Sequence, residues 1–331
     1  MPPNGYGGIE RIIADLAIEY QNNGHEVDLL ASKGSNIMGC ISFYHSNPAF
    51  PPSRRTVLLA LIYTWFFLLR NYKKYDAIHN FGRLLYLVPI KNKNVNKLQC
   101  YQREISRRNI EKIVNSKHKN LFFSGCSRNL VERANPSGNW SNIHNCVVFN
   151  KYSLNTELYI ESAPLVFLGR LDKIKGVHIA IDVAKKTNRK LLIAGNISDD
   201  INEKEYFEKE IKPCIDDDQI VYLGEVNDIQ KNEILGKSVA LLMPIQWNEP
   251  FGIVMIEAMA CGTPVIAFSK GSVPEVVENG ITGFVVDDVS GMIQAVQAVH
   301  NIDRVKCRMR AFEKFDVSVI ASEYLRIISK L

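Results

Sequence analysis

Short apolar runs recur along the whole chain, and the segments between them are longer, amphipathic or apolar. In the first half the runs are residues 26–31, 40–45, 75–79, 96–101, 120–125 and 144–149. In the second half they are 164–169, 190–195, 219–224, 238–243, 264–268 and 283–286. Apolar strands alternating with helices predict parallel sheets covered by helices on both faces. The polar stretch 150–163 predicts a linker, and with it an N-terminal domain over 1–155 and a second domain over 156–304. The first domain opens unusually. Met1 stands directly before PPNGYGG, a turn that normally follows a strand, so the first, central strand of a doubly wound sheet is expected to be missing.

One run is longer than the rest. Residues 57–69, VLLALIYTWFFLL, lie between Arg54–Arg55 and Arg70. They fall short of the ~20 residues that span a bilayer. A buried helix is the default reading, and a helix lying at a membrane interface is the alternative.

Charge adds an asymmetry to this pattern. Residues 1–150 carry 19 Lys/Arg against 9 Asp/Glu, and residues 151–331 carry 21 against 26. A basic N-terminal half suits phosphates, an acidic acceptor or an anionic membrane. No recognised nucleic-acid-binding motif accompanies the charge, so nucleic acid is not expected as a partner. The length of 331 residues favours two cores. Seven dispersed cysteines without CxxC pairing fit reduced thiols and a cytoplasmic location, with peripheral membrane contact as the alternative.

The chemistry concentrates in the second half. In NEPFGIVMIEAMACGTPVIAF, residues 248–268, a helix is predicted from Gly252 to Ala260, starting at the carboxyl end of a strand. That edge is where open α/β sheets bind ligands. The free N–H groups of Gly252, Ile253 and Val254 would attract anions or sugar oxygens. Glu249 precedes the helix, and Glu257 falls within its apolar stretch. A carboxylate there needs a partner, and a ribose diol can supply two donors. In PLVFLGRLDKIKGVHIAI, residues 164–181, a strand delivers Arg170 and a short loop delivers Lys175 and Gly176. Two cations beside a helix start make a diphosphate clamp. Neither a Walker loop nor GxGxxG occurs, so no nicotinamide cofactor is indicated. Asp216-Asp217-Asp218 imitates a DxD motif, but its polar setting reads as a surface turn rather than a metal site. Near the N-terminus, Asn4-Gly5-Tyr6-Gly7-Gly8 leads into a helix and permits close backbone approach to a ligand.

In this order, these segments resemble the retaining glycosyltransferases of the GT-B fold, family four, also called glycosyl transferases group 1. Glu249 and Glu257 match the family's E-x7-E signature. Arg170 with Lys175–Gly176 matches its GR…KG pair, Gly7 and Gly8 match its N-terminal glycine loop, and residues 271–286 (GSVPEVVENGITGFVV) share its pattern. The resemblance implies two Rossmann-like domains with parallel sheets facing a central cleft, and a helix within 305–331 returning to the first domain. It implies that Glu257 holds the donor ribose, that Glu249 acts near the reacting centre, and that Arg170 and Lys175 neutralise the departing diphosphate. Phe251, Gly252 and Ile253 would offer backbone contacts. The donor would be a nucleoside diphosphate sugar, with no cofactor and no metal. The acceptor would be a glycan, a lipid or a small molecule. The family's His-x-His is broken here, with Phe81 in the second position. His79 remains as the catalytic candidate on the acceptor side, with Arg103 and Glu104 as further candidates. A GT-B sugar-nucleotide epimerase and a non-catalytic nucleotide-sugar-binding protein are the alternative functions.

Overall fold

A computed structural model describes residues 7–32, 34–44, 53–159 and 161–329. It divides into two compact units. Unit 1 takes the chain up to Asn145 and again from Val317, and unit 2 is Cys146–Asp316. The polar stretch 150–163 therefore lies within unit 2 rather than between the units.

Unit 1 runs α1 (Gly8–Asn22), β1 (Asp28–Ala31), β2 (Ile41–Tyr44), α2 (Arg54–Asn71), β3 (Ala77–Asn80), β4 (Asn96–Tyr101), α3 (Arg107–Val114), β5 (Leu121–Gly125), α4 (Arg128–Ala134) and β6 (Trp140–Asn142). Strands β3 to β6 form a parallel four-stranded sheet in chain order, while β1 and β2 pair separately, also in parallel. Among the described residues no strand joins β1 to β3. A small core of Ala14, Ala17, Leu29, Ala31 and Ile37 lies between α1 and β1.

Residues 144–149, expected as a strand, do not form one. The sheet ends instead on the polar β6, whose Trp140 stacks on Phe123 with centroids 5.0 Å apart. The apolar character of 146–149 has another cause. Val147 N donates to Phe315 O at 3.1 Å and makes an isolated bridge with Asp316. Phe149 is buried where its N–H meets the Asp316 carboxylate at 3.2 Å. This stretch is hydrophobic because it is enclosed, not because it is laddered.

Unit 2 runs β7 (Leu165–Leu168), α5 (Val177–Lys186), β8 (Leu191–Ala194), α6 (Ile201–Tyr206), β9 (Ile220–Tyr222), α7 (Asp228–Lys237), β10 (Ala240–Met243), α8 (Ile253–Ala260), β11 (Val265–Phe268), α9 (Val273–Val276), β12 (Gly283–Val286), α10 (Val289–Ala298) and α11 (Arg304–Phe315). Its strands form one parallel sheet in the order β9-β8-β7-β10-β11-β12. Every residue of β10 and β11 is buried, which is why these strands read as unbroken apolar runs. The strand order reverses between β7 and β10. Right-handed crossovers place helices on opposite faces on either side of such a switch, and a crevice opens at the carboxyl ends of the two strands. The last helix, α12 (Val317–Ser329), belongs to unit 1. The segment expected to return from residue 305 is thus split, with α11 staying in unit 2.

Candidate active site

The two motif segments follow β7 and β10, the strands that flank the switch point. The sequence brings their loops into contact. Gln246 N donates to Ile174 O at 2.8 Å. Gly176 has a φ of +78°, and a Cβ there would lie 2.2 Å from Pro244 O. Only glycine fits a backbone approach that close. A second glycine clamps the loop from the far side. Gly271 has a φ of +58°, and a Cβ would come within 2.3 Å of Glu249 O. Beside it, Ser272 N donates to Glu249 O at 3.0 Å, and Ser272 Oγ donates to Phe251 O at 2.7 Å. The loop after β11 therefore holds the Glu249–Gly252 turn in shape. Residues 271 and 272 gain a physical role here that the sequence pattern alone did not assign.

Helix α8 begins at Ile253, with Gly252 as its N-cap. Phe251 is buried and meets Phe315 edge-on at 6.1 Å, so its side chain anchors the loop in the core. Met255 to Ala260 are buried, Glu257 among them. Burying Met255, Ile256 and Met259 stabilises the helix by roughly 1.5–3 kcal/mol each. A buried carboxylate works against that gain unless it is paired.

Both glutamates are paired, and in the same way. Glu249 Oε2 accepts from Lys175 Nζ at 2.5 Å and from the Trp247 indole N–H at 2.9 Å. Glu257 Oε1 accepts from Lys231 Nζ at 2.5 Å and from the Tyr152 hydroxyl at 3.0 Å. In each case one oxygen is held by an ammonium and a neutral aromatic donor. Among the described residues, Glu249 Oε1 and Glu257 Oε2 have no hydrogen-bond partner. The side chains are only 12% and 10% exposed. Burial disfavours the charge on Lys231, but Glu257 and Asp228 more than offset it and hold the ammonium above its usual pKa. Burial beside Glu257 likewise pushes the Tyr152 hydroxyl far up, so it stays protonated and donates. Lys175 also sits over the Trp247 ring, 5.2 Å from its centroid. Arg170 pairs with the buried Asp172 at 2.8 Å while its guanidinium stays partly exposed. Asp172 Oδ1 is buried without a partner.

Tyr152, Lys231, Trp247 and Asp172 were not singled out from sequence. Tyr152 and Lys231 stand 105 and 26 residues from Glu257 in the chain, and no periodicity links them to it. Trp247 and Asp172 lie two residues from Glu249 and Arg170, and that closeness was the available signal.

The remaining candidates lie in unit 1. Gly7 and Gly8 stand at the start of α1, and Gly7 O accepts from Arg11 N at 3.3 Å. Residues 4–6 of the same motif fall outside the described residues. Both nitrogens of His79 are engaged within the unit: Nδ1 with Tyr20 Oη at 3.2 Å and Nε2 with Cys100 Sγ at 2.8 Å. Phe81 and Tyr324 pack on the ring with centroids 4.3 and 4.6 Å away. Desolvation pushes the imidazole pKa down to about 3, so it is neutral at neutral pH. Glu104 pairs with Arg133 at 2.8 Å on the surface, and Arg103 is exposed. Asp216 to Asp218 form the expected turn. Asp217 takes a φ of +59°, and Asp216 Oδ1 accepts from Asp218 N and Ile220 N.

The loops at the switch point carry a glycine-bounded helix start, the cations Arg170 and Lys175 and the half-anchored Glu249, groups whose chemistry suits phosphate and hydroxyl oxygens. Residues 155–302 match the family described as Glycosyl transferases group 1. A Klebsiella pneumoniae relative, described as an uncharacterized 41.2 kDa protein in the cps region, is 28% identical over 79% of this chain and 73% of its own length. The N-acetyl-alpha-D-glucosaminyl L-malate synthase of Bacillus anthracis is 34% identical over 33% of this chain and 30% of its own length. Among solved structures, HepE of Anabaena in complex with UDP and glucose has a TM-score of 0.76 at 17% identity, covering 99% of this chain and 98% of that one. Sucrose-phosphate synthase of Thermosynechococcus elongatus has a TM-score of 0.77 at 19% identity, covering 98% and 93%. Unit 2 therefore carries the glycosyl transferases group 1 match, and the chain has the GT-B fold over nearly its whole length.

Proposed function

We propose that unit 2 binds a nucleoside diphosphate sugar along the carboxyl ends of β7 and β10, and that unit 1 is the acceptor-side domain. The observation that carries the donor reading is the matched state of the two glutamates. Each keeps one oxygen fixed by a lysine and an aromatic donor, and one oxygen open. On Glu257 the open oxygen accepts the ribose hydroxyls. On Glu249 it accepts from the donor sugar, beside Lys175. Arg170, Lys175 and the N–H groups at the start of α8 receive the diphosphate as it leaves. Positive charge fixed where negative charge develops is often the largest catalytic term. His79, neutral and engaged at both nitrogens, shapes the acceptor side by packing rather than acting as an acid or base. Arg103 is the exposed acceptor-side candidate.

A calorimetric screen of nucleotide sugars against the wild-type chain and Glu257→Ala tests this assignment. The expected result is a donor that binds wild type and binds the variant more weakly. Acceptor trials with that donor then follow. A panel in which no nucleotide sugar binds the folded wild-type protein would sink the reading.

A further inference from the structure

The apolar helix α2 is half buried, so the buried-helix reading holds for one face only and the membrane-interface reading stays open for the other. Ala60, Thr64, Phe67 and Leu68 face the interior. Leu58, Leu59, Ile62, Tyr63, Phe66 and Leu69 face out and are 37–63% exposed. At about 100° per residue these six fall within an arc of roughly 140°, and from Leu58 to Leu69 they run about 16 Å along the axis. Exposed stripes of this kind mark interaction surfaces.

Charge identifies the partner. Arg54 and Arg55 stand exposed at one end of the stripe, and Arg70, Lys73 and Lys74 stand exposed at the other. Among the described residues none of the five pairs with a carboxylate. From Ser53 to Tyr75 the sequence contains no Asp or Glu. A second copy of this chain docking face to face would bring cations against cations. An anionic lipid surface satisfies both features at once, because it takes the apolar stripe into its acyl boundary and the cations among its headgroups. The helix cannot cross: no helix among the described residues is long and apolar enough. We propose that α2 lies in the plane of an anionic membrane, with Leu59, Ile62 and Phe66 inserted and the five cations at the headgroup level. This proposal stands independently of the donor assignment.

Vesicle flotation tests it, using phosphatidylcholine vesicles with and without phosphatidylglycerol. The wild-type protein is expected to float only with the anionic vesicles, and less so as salt screens the charges. Each of Arg55→Gln and Arg70→Gln is expected to weaken partition about fivefold, equivalent to ~1 kcal/mol per cation. Phe66→Asp is expected to abolish flotation while leaving the circular dichroism spectrum unchanged, since Phe66 is 63% exposed. The two arginine variants leave the apolar stripe intact, so they keep the proposal testable should Phe66→Asp fail to fold. Protein that stays soluble with every vesicle overturns the proposal, as does flotation indifferent to lipid charge. A concentration-dependent dimer that Phe66→Asp dissolves also overturns it, and assigns the face to self-association.

Discussion

The two units treat charge in opposite ways. Unit 2 pairs its functional charges, Lys175 with Glu249, Lys231 with Glu257 and Arg170 with Asp172, and encloses all of them but Arg170. Unit 1 leaves cations on its surface and half-buries a histidine that stays neutral. Preorganised charges stabilise a developing charge without reorganising at the moment of reaction. Exposed cations can reach a partner whose shape varies, and they are screened by salt. On the function proposed above, the fixed, chemically demanding half of the reaction falls to unit 2 and recognition of the partner to unit 1.

The sharpest way to break this contrast is at Lys175. Lys175→Ala removes the cation that faces the leaving diphosphate and strips Glu249 of its ionic partner. Turnover with the donor found by the binding screen is expected to fall about 10²–10³-fold, with a smaller effect on donor affinity. Steady-state kinetics decides between roles. A rise in KM with kcat unchanged makes Lys175 a uniform binding group and removes the transition-state role. Glu257→Ala sharpens the same side. Loss of the hydroxyl acceptor is expected to weaken nucleotide-sugar binding by about 1–3 kcal/mol, roughly 5- to 150-fold. Titration calorimetry on the folded variant reads this directly, and unchanged affinity takes Glu257 out of the site.

How far the sequence carried this picture depends on what made each residue apolar or charged. The strands of unit 2 were legible because both of their faces are buried, so β10 and β11 appear as unbroken runs. Residues 144–149 misled because burial alone, without a ladder, produces the same run. The flanking arginines of α2 hinted at an interface, but the helix is apolar all round, so periodicity could not separate its core face from its outer face. Glu249, Glu257, Arg170 and Lys175 were legible through their spacing relative to strand ends and glycines. Tyr152 and Lys231 were not, because tertiary packing alone brings them to Glu257. Tyr152 is set in place by Arg308, whose Nη1 donates to the Tyr152 carbonyl at 2.8 Å.

Unit 1 has its own test, in the pH dependence of stability. The folded-state pKa of His79 is about 3, below its ordinary value of 6.5. Between these values the unfolded chain binds the proton and the folded chain does not. This group therefore makes stability fall as pH drops below 6.5, by up to ~1.4 kcal/mol per pH unit. Urea denaturation followed by Trp65 and Trp140 fluorescence in a Trp247→Phe background, at about pH 7.5 and about pH 5.5, measures the loss. In His79→Gln, which cannot titrate, the acid loss is expected to shrink by that amount. An equal acid loss in both proteins would show that the imidazole is solvated, and that the contrast between the units does not extend to it.

The smallest expected effect tests the anchoring of Glu257 itself. Tyr152→Phe keeps the ring and its packing but removes one hydrogen bond from a neutral donor to the charged Oε1. Lys231 still holds that oxygen, so the carboxylate keeps its charge and its partner and loses only a restraint on its direction. A hydrogen bond to a charged group contributes about 1.5–3 kcal/mol net, of which the ribose feels only the part that directs the carboxylate, so donor affinity should fall roughly 2- to 12-fold. Lys231→Met leaves a buried carboxylate without its ammonium and should cost more than the tyrosine change, in stability as well as in affinity. The ratio between the two variants separates positioning from packing. If Tyr152→Phe lowers donor affinity while thermal stability holds, the hydroxyl aims the carboxylate at the ribose. If both stay level, Lys231 alone orients Glu257 and the hydroxyl has no part in donor binding.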